Sequence, residues 1–153
     1  MSAIAVAETF SKFGSYLLPQ AYPEAGPQHP TYPSGHATMA GACATILKAA
    51  FDGGAAFAKL ADNAVVVASD DGLSQVPVSD PGLTIGGEID KLASNIAFGR
   101  NFAGIHWRSD AEWGMRLGEA AAISLLQDQS NNYAGENFDG FTITKFDGTT
   151  VTV

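Results

Sequence analysis

Apolar residues recur at roughly every third or fourth position over residues 3–18, at Ile4, Ala7, Phe10, Phe13, Leu17 and Leu18. That spacing predicts a helix, which Pro19 would stop. Residues 19–33 hold five prolines, so this stretch can be neither helix nor central strand. Tyr22, His29 and Tyr32 within it are nevertheless expected to pack. A second helix is predicted from His36 to about Phe51, running through Met39, Ala40, Cys43, Ile46, Leu47 and Ala50, with Gly53-Gly54 as its stop. A third runs from Glu88 to Phe102, with Ile89, Leu92, Ile96 and Ala97 inward. A fourth opens at Ser109-Asp110-Ala111-Glu112, which has the S-x-x-E form of a capping box. It continues to about Gln129 and buries Trp113, Leu117, Ala121 and Leu125.

Between the second and third helices the period changes. Ala64–Ala68 reads as a strand and Leu83-Thr84-Ile85 as another, joined by the acidic segment ASDDGLSQVPVSDPG. That segment holds no histidine, lysine or arginine, which points to a peripheral hairpin-like insert. The tail FTITKFDGTTVTV alternates around Asp147-Gly148 and predicts a C-terminal β-hairpin. The expected fold class is mainly α, a helical bundle with a small β insert and a C-terminal hairpin. Residues 1–153 are expected to form a single domain.

Composition narrows the picture. Of 153 residues, 46% are hydrophobic and 16% charged, against a usual charged share of about a quarter. So many apolar groups exclude a disordered chain. So few charges predict that part of the surface is covered by a partner or by further sequence. The net charge of −8 argues against nucleic acid as a partner. No apolar run approaches the length of a membrane span. The start MSAIAVAETFSKF lacks a basic region and a long apolar core, so no secretory signal is expected, and the compartment stays open. A single cysteine, Cys43, excludes an internal disulfide; placed among alanines on a helix, it is assigned to the core.

Two clusters carry candidate chemistry. The first is His29-Pro30-Thr31-Tyr32-Pro33-Ser34-Gly35-His36, directly before a helix. A helix start presents unpaired N–H groups and a positive dipole end, which suits an anion. Ser34 adds a hydroxyl, Gly35 permits close approach, and His36 can exchange a proton near neutral pH. The second is Arg100-Asn101-Phe102-Ala103-Gly104-Ile105-His106-Trp107-Arg108-Ser109-Asp110. Arg100 offers a planar cationic fork. A turn at Gly104 can bring His106 back, and Asp110 is spaced to accept an N–H from its ring. Taken singly, each cluster also fits a capped turn with a surface or core histidine. Other chemistries lack support: Y-P-S-G-H is not a nucleophile elbow, His29, His36 and His106 lack zinc spacing, and Asp70-Asp71-Gly72 is too short for a calcium loop.

Together, P-S-G-H followed by R-x5-H-x3-D resembles the superfamily of vanadium-dependent haloperoxidases and type-2 phosphatidic acid phosphatases. The segments YLLPQAYPEAGPQHPTYPSGHATMAGACATILKA and EIDKLASNIAFGRNFAGIHWRSD, and the tail KFDGTTVTV, resemble the C-terminal region of marine red-algal bromoperoxidases and their bacterial relatives. The resemblance implies a helical bundle holding vanadate. It implies that His106 binds vanadium, that Ser34, the Gly35 amide and Arg100 bond the vanadate oxygens, and that His36 is the acid–base group. Asp110 would orient His106, and His29 would stand near the halide. The implied reaction is oxidation of bromide or iodide by hydrogen peroxide to hypohalous acid, with an organic acceptor and with vanadium as Lewis acid. A homo-oligomer is implied for the complete enzyme, and secretion is frequent in the family.

One departure stands out. The family carries an upstream lysine followed seven residues later by Arg-Pro, and this chain has none: no arginine precedes Arg100. The chain is therefore expected to be a C-terminal active-site lobe that needs an N-terminal portion in cis or in trans. The alternatives are a phosphatase of the same superfamily, in which His106 would accept the phosphoryl group, or a non-catalytic fragment.

Overall fold

The computed structural model describes residues 4–17, 26–60, 62, 65–79 and 82–153. Leu18, Pro19, Tyr22 and Ala64, named above, lie outside them. Four helices follow in order: α1 (Ile4–Phe13), α2 (Gly35–Ala50), α3 (Ile85–Phe102) and α4 (Arg108–Asn132). A single 3-10 turn spans Phe57–Lys59. Strands β1 (Val66–Ala68) and β2 (Gln75–Pro77) form one antiparallel pair, and β3 (Thr142–Thr144) and β4 (Thr150–Thr152) form another. The fold is mainly helical, with the expected hairpin at the C-terminus.

Helix ends follow local chemistry. α1 stops at Gly14, whose φ of 68° lets its N–H return to the Phe10 carbonyl at 2.9 Å. The helix thus ends well before Pro19, and residues 14–17 are not helical. α3 begins three residues earlier than the periodicity suggested. The Thr84 hydroxyl accepts the Gly87 N–H at 3.1 Å and caps it. Thr84 is therefore a helix cap with one bridge to Ala56, not part of a strand over 83–85. β1 pairs instead with β2, Val67 opposite Val76, and the insert is a short hairpin with both faces exposed. α4 begins at Arg108 rather than behind Ser109, and only half of a capping box forms. The Asp110 carboxylate accepts the Trp107 N–H at 3.2 Å, while Glu112 pairs with Arg108 on the surface at 2.7 Å.

The core is built from small residues. Ala37, Ala40 and Ala44 of α2 meet Ala93 and Ala97 of α3 and Ala111 and Met115 of α4, with Ile89, Phe98 and Phe146 against them. α2 and α4 run side by side in the same direction. Ser34 lies over Gly114, and Thr38 over Gly118. A Cβ at Gly114 would sit 2.8 Å from the Ser34 carbonyl oxygen. One at Gly118 would overlap the Thr38 carbonyl, and one at Gly41 the Met115 carbonyl. Backbones this close leave no room for large side chains.

The inward assignments on α3 and α4, and that of Cys43 to the core, therefore need correction, and the large apolar residues of α2 face outward as well. Ala40 and Ala97 are buried and Ile89 is half-buried. Met39 is 70% exposed, Leu92 58%, Trp113 53% and Leu125 60%; Ile46, Leu47, Ile96 and Leu117 are exposed too. Ala50, Ala121 and Cys43 also face outward. Glycine, alanine and threonine fill the helix interface, and the bulky apolar residues occupy the outer faces.

The C-terminal hairpin closes over the far end of α2. Ile143 is fully buried, and the Phe146 N–H donates to the buried Glu119 carboxylate at 2.7 Å. Lys48, also buried, meets Asp90 at 2.7 Å in an ion contact without hydrogen-bond angles, and its ammonium lies 4.3 Å from the centre of the Phe146 ring. Asp147 closes the turn by accepting from the Thr149 N–H and hydroxyl, with Gly148 at φ 82°.

Candidate functional site

Ser34 is the structural centre of the first cluster. It is fully buried as the N-cap of α2, and its hydroxyl accepts from the Ala37 N–H at 3.4 Å. Its own N–H donates to the Asp110 backbone carbonyl at 3.0 Å. That bond joins the start of α2 to the first turn of α4. Two helix N-termini thus lie together, and their positive dipole ends act on one region. Sequence spacing offered only one such end. Gly35 and His36 follow in the first turn of α2 and are exposed, as is His29, whose Nδ1 sits 2.8 Å from the Pro30 carbonyl.

The second cluster is brought to this end by a sharp turn. Gly104, at φ 78°, donates to the Asn101 carbonyl at 2.9 Å, and Ile105 donates to the Arg100 carbonyl at 3.1 Å. This pair of bonds is a complete Schellman ending. It stops α3 two residues beyond Arg100 and leads directly into His106. Arg100 is partly buried in the last turn of α3.

His106 is buried, with its side chain only 2% exposed and that of Asp110 3%. Its Nδ1 lies 3.3 Å from Asp110 Oδ2. With Asp110 engaging Nδ1, Nε2 is the nitrogen left to face a ligand. Burial alone would raise the Asp110 carboxyl. Donation from the Trp107 N–H, the His106 ring and the Ser109 hydroxyl outweighs it and holds the group below the usual carboxylate range. Ser109 was read on sequence grounds only as part of a helix cap, since it does not stand out by residue type as a partner of Asp110.

A cleft of about 500 Å³ lies at the opposite end of α2 and α3, lined by Lys48, Gly53, Gly86, Asp90, Thr142 and Thr144. Ser34, Asp110 and His106 instead meet at the other end, where α2 and α4 begin. Among the described residues no three His, Cys, Asp or Glu side chains are close enough to hold a metal cation. What gathers is a single buried imidazole, a hydroxyl and the N–H ends of two helices. That donor set fits a tetrahedral oxyanion held by one ring nitrogen. No helix among the described residues is long and apolar enough to cross a membrane.

Over residues 7–135 the chain matches the family described as the VCPO second helical-bundle domain. It is 48% identical over 139 residues to a vanadium-dependent bromoperoxidase of Corallina pilulifera, covering 91% of this chain and 22% of that protein. It is 49% identical over 140 residues to a vanadium-dependent bromoperoxidase of Corallina officinalis, again 91% of this chain and 22% of the relative. A vanadium-dependent bromoperoxidase of Ascophyllum nodosum is 40% identical over 162 residues, with all of this chain and 28% of the relative covered. The chain therefore spans between 22% and 28% of the length of these relatives.

Proposed function

The chain belongs to the vanadium haloperoxidase family, within its second helical-bundle domain, and from that premise we propose that it supplies the vanadate-holding lobe of an enzyme that oxidises bromide or iodide with hydrogen peroxide to hypohalous acid. The observation that carries the reading is the junction of the α2 and α4 starts through Ser34 and Asp110, beside the buried His106 ring. In this reading His106 offers Nε2 to vanadium. The Ser34 hydroxyl, the Gly35 amide and the Arg100 guanidinium hold the oxyanion. Bound vanadate would act as a Lewis acid toward peroxide. His36, exposed at the first turn of α2, takes and returns the proton exchanged with solvent. His29 stands on the approach to that turn and would meet the halide or the organic acceptor.

The charge balance places a demand on the rest of the enzyme. Arg100 and the two helix ends face a multiply charged anion. Two further cations, from a lysine and an arginine outside these 153 residues, complete the reading. Each charge-assisted hydrogen bond contributes about 1.5–3 kcal/mol, so the lobe by itself binds vanadate weakly.

The test is an orthovanadate titration of bromide oxidation, run on the chain alone and on the chain joined to a relative's upstream bundle. Vanadate should switch on activity in the joined protein and much less in the lobe. A joined, folded protein that hydrolyses phosphate monoesters but leaves bromide untouched would move the assignment to the phosphatase branch. One inert in both assays would mark the lobe as non-catalytic.

A further inference from the structure

A groove of about 370 Å³ lies between the loop that leads into α2 and the outer face of α4, lined by Tyr32, Pro33, Trp113, Arg116 and Leu117. The bond between Ser34 and Asp110 sits at one end of it, and two stretches of chain lead from that bond into the groove. Tyr32 and Pro33 stand directly before Ser34. On α4, Asp110, Trp113 and Leu117 follow one another at spacings of three and four residues, so they share a helix face. At a rise of 1.5 Å per residue, Trp113 lies about 4.5 Å and Leu117 about 10.5 Å along the axis from Asp110.

Two of the walls are aromatic, Tyr32 from the loop and Trp113 from the helix, and both are exposed. Among the described residues their rings make no contact with each other, so the space between them stays open. A dry cavity of about 150 Å³ takes a benzene ring, and a groove of this size therefore accepts one ring with its substituents. Aromatic faces hold another ring by offset or edge-on stacking, and Pro33 and Leu117 add apolar surface. One cation stands beside these rings. Arg108 is engaged by Glu112 at 2.7 Å, whereas Arg116 makes no ion pair among the described residues, and its guanidinium lies 5.2 Å from the centre of the Trp113 ring. In a chain of net charge −8, an arginine so placed favours an anion carried on an aromatic ring.

We propose that this groove binds the organic acceptor, and that the acceptor is a small aromatic anion of the hydroxybenzoate kind: its ring lies between Tyr32 and Trp113 and its carboxylate meets Arg116. The proposal names the acceptor class for the haloperoxidase reading and rests on that reading for its purpose. Hypohalous acid would form at the Ser34–His106 end, and an electron-rich ring held one or two turns of α4 away would meet it before it diffuses off. In that transfer a carbon–halogen bond forms and the halogen–oxygen bond breaks, its electron pair leaving with hydroxide. The displaced ring proton joins the hydroxide as water, so the ring carbon is oxidised and the halogen reduced.

The experiment is a titration of 4-hydroxybenzoate into the ¹⁵N-labelled 153-residue chain at low salt, read at the indole N–H of Trp113 with Trp107 as internal reference. Phenol, which lacks the carboxylate, and cyclohexanecarboxylate, which lacks the aromatic ring, are the comparators. 4-Hydroxybenzoate should shift Trp113 and bind more tightly than either. Tyr32→Leu should weaken it about twofold to tenfold, the scale of an aromatic contact. Arg116→Gln should weaken it up to about fivefold, the scale of an exposed charge pair, and weaken phenol less. Upstream helices lying over α4 would roof the groove, so the joined protein should bind at least as tightly. Equal shifts with 4-hydroxybenzoate and cyclohexanecarboxylate, or none with either, overturn the proposal. A Trp113 signal that follows protein concentration rather than ligand overturns it too, as does one that no longer responds in the joined protein, since a second copy or the upstream chain would then fill the groove. A joined protein that binds 4-hydroxybenzoate at Trp113 but leaves bromide untouched keeps the groove and overturns the haloperoxidase reading instead.

Discussion

Asp110 joins four groups from outside its own helical ladder: three donors at its carboxylate and the Ser34 N–H at its carbonyl. Its folded carboxyl titrates below the usual range, near 3.9 in an unfolded chain. A depressed carboxyl contributes stability that is present above the unfolded value and is lost as the pH falls through the folded value. In urea unfolding from pH 7 to pH 2, Asp110→Asn should therefore be weaker than wild type at neutral pH, and the gap should narrow below about pH 4. A gap constant across that range would remove the linkage. The two histidines separate by burial. His106→Ala in the joined protein should abolish orthovanadate binding, whereas His36→Ala should keep most of the binding and lower turnover. Equal loss of affinity in both variants would contradict the division between ligand and proton carrier.

The helices themselves were legible in the sequence, but the face each one buries was not. Hydrophobic periodicity assumes that the largest apolar residues lead inward. In α2 and α4 the close approach of two backbones inverts that order: Gly41, Gly114 and Gly118 sit where any Cβ would strike a carbonyl or a neighbouring side chain. A glycine in a helix is ordinarily read as a weak point, so its use as a packing surface carries no separate signal. Thr84 misled for a similar reason: Leu-Thr-Ile suits a strand by composition, yet the threonine hydroxyl caps a helix. The candidate motifs were legible because their chemistry is local. Their junction was not, because it rests on one backbone bond between residues 34 and 110. Two glycine substitutions test the packing account. Gly118→Ala should destabilise by at least about 1–3 kcal/mol, the scale of overpacking. Gly99→Ala, in α3 with open space at its Cβ, should stabilise by roughly 0.4–1 kcal/mol through the unfolded chain. Thermal melts of the two variants moving in the same direction would refute it.

At the scale of the molecule, the inversion has a cost in solvent. Met39, Ile46 and Leu47 on α2, Leu92, Ile96 and Phe102 on α3, and Trp113, Leu117 and Leu125 on α4 are all exposed. Few charges dilute them, since only 16% of the chain is Asp, Glu, Lys or Arg. Contiguous exposed apolar area beyond a few hundred Å² marks a contact surface or drives aggregation. A net charge of −8 opposes association at low salt, and added salt screens that repulsion within about 10 Å at 0.1 M. The purified lobe should therefore self-associate in a concentration-dependent way, more strongly as salt rises. The joined protein should not, because the upstream helices would cover the same faces. Sedimentation velocity over a range of concentration and salt reads this directly. Placing lysine at Met39 and Leu125, both outside the buried core, should reduce association of the lobe while leaving its helical circular dichroism unchanged. A wild-type lobe that sediments as a 15.9 kDa monomer at high concentration and high salt would show that these faces tolerate water, and the case for a covering partner would fall with it.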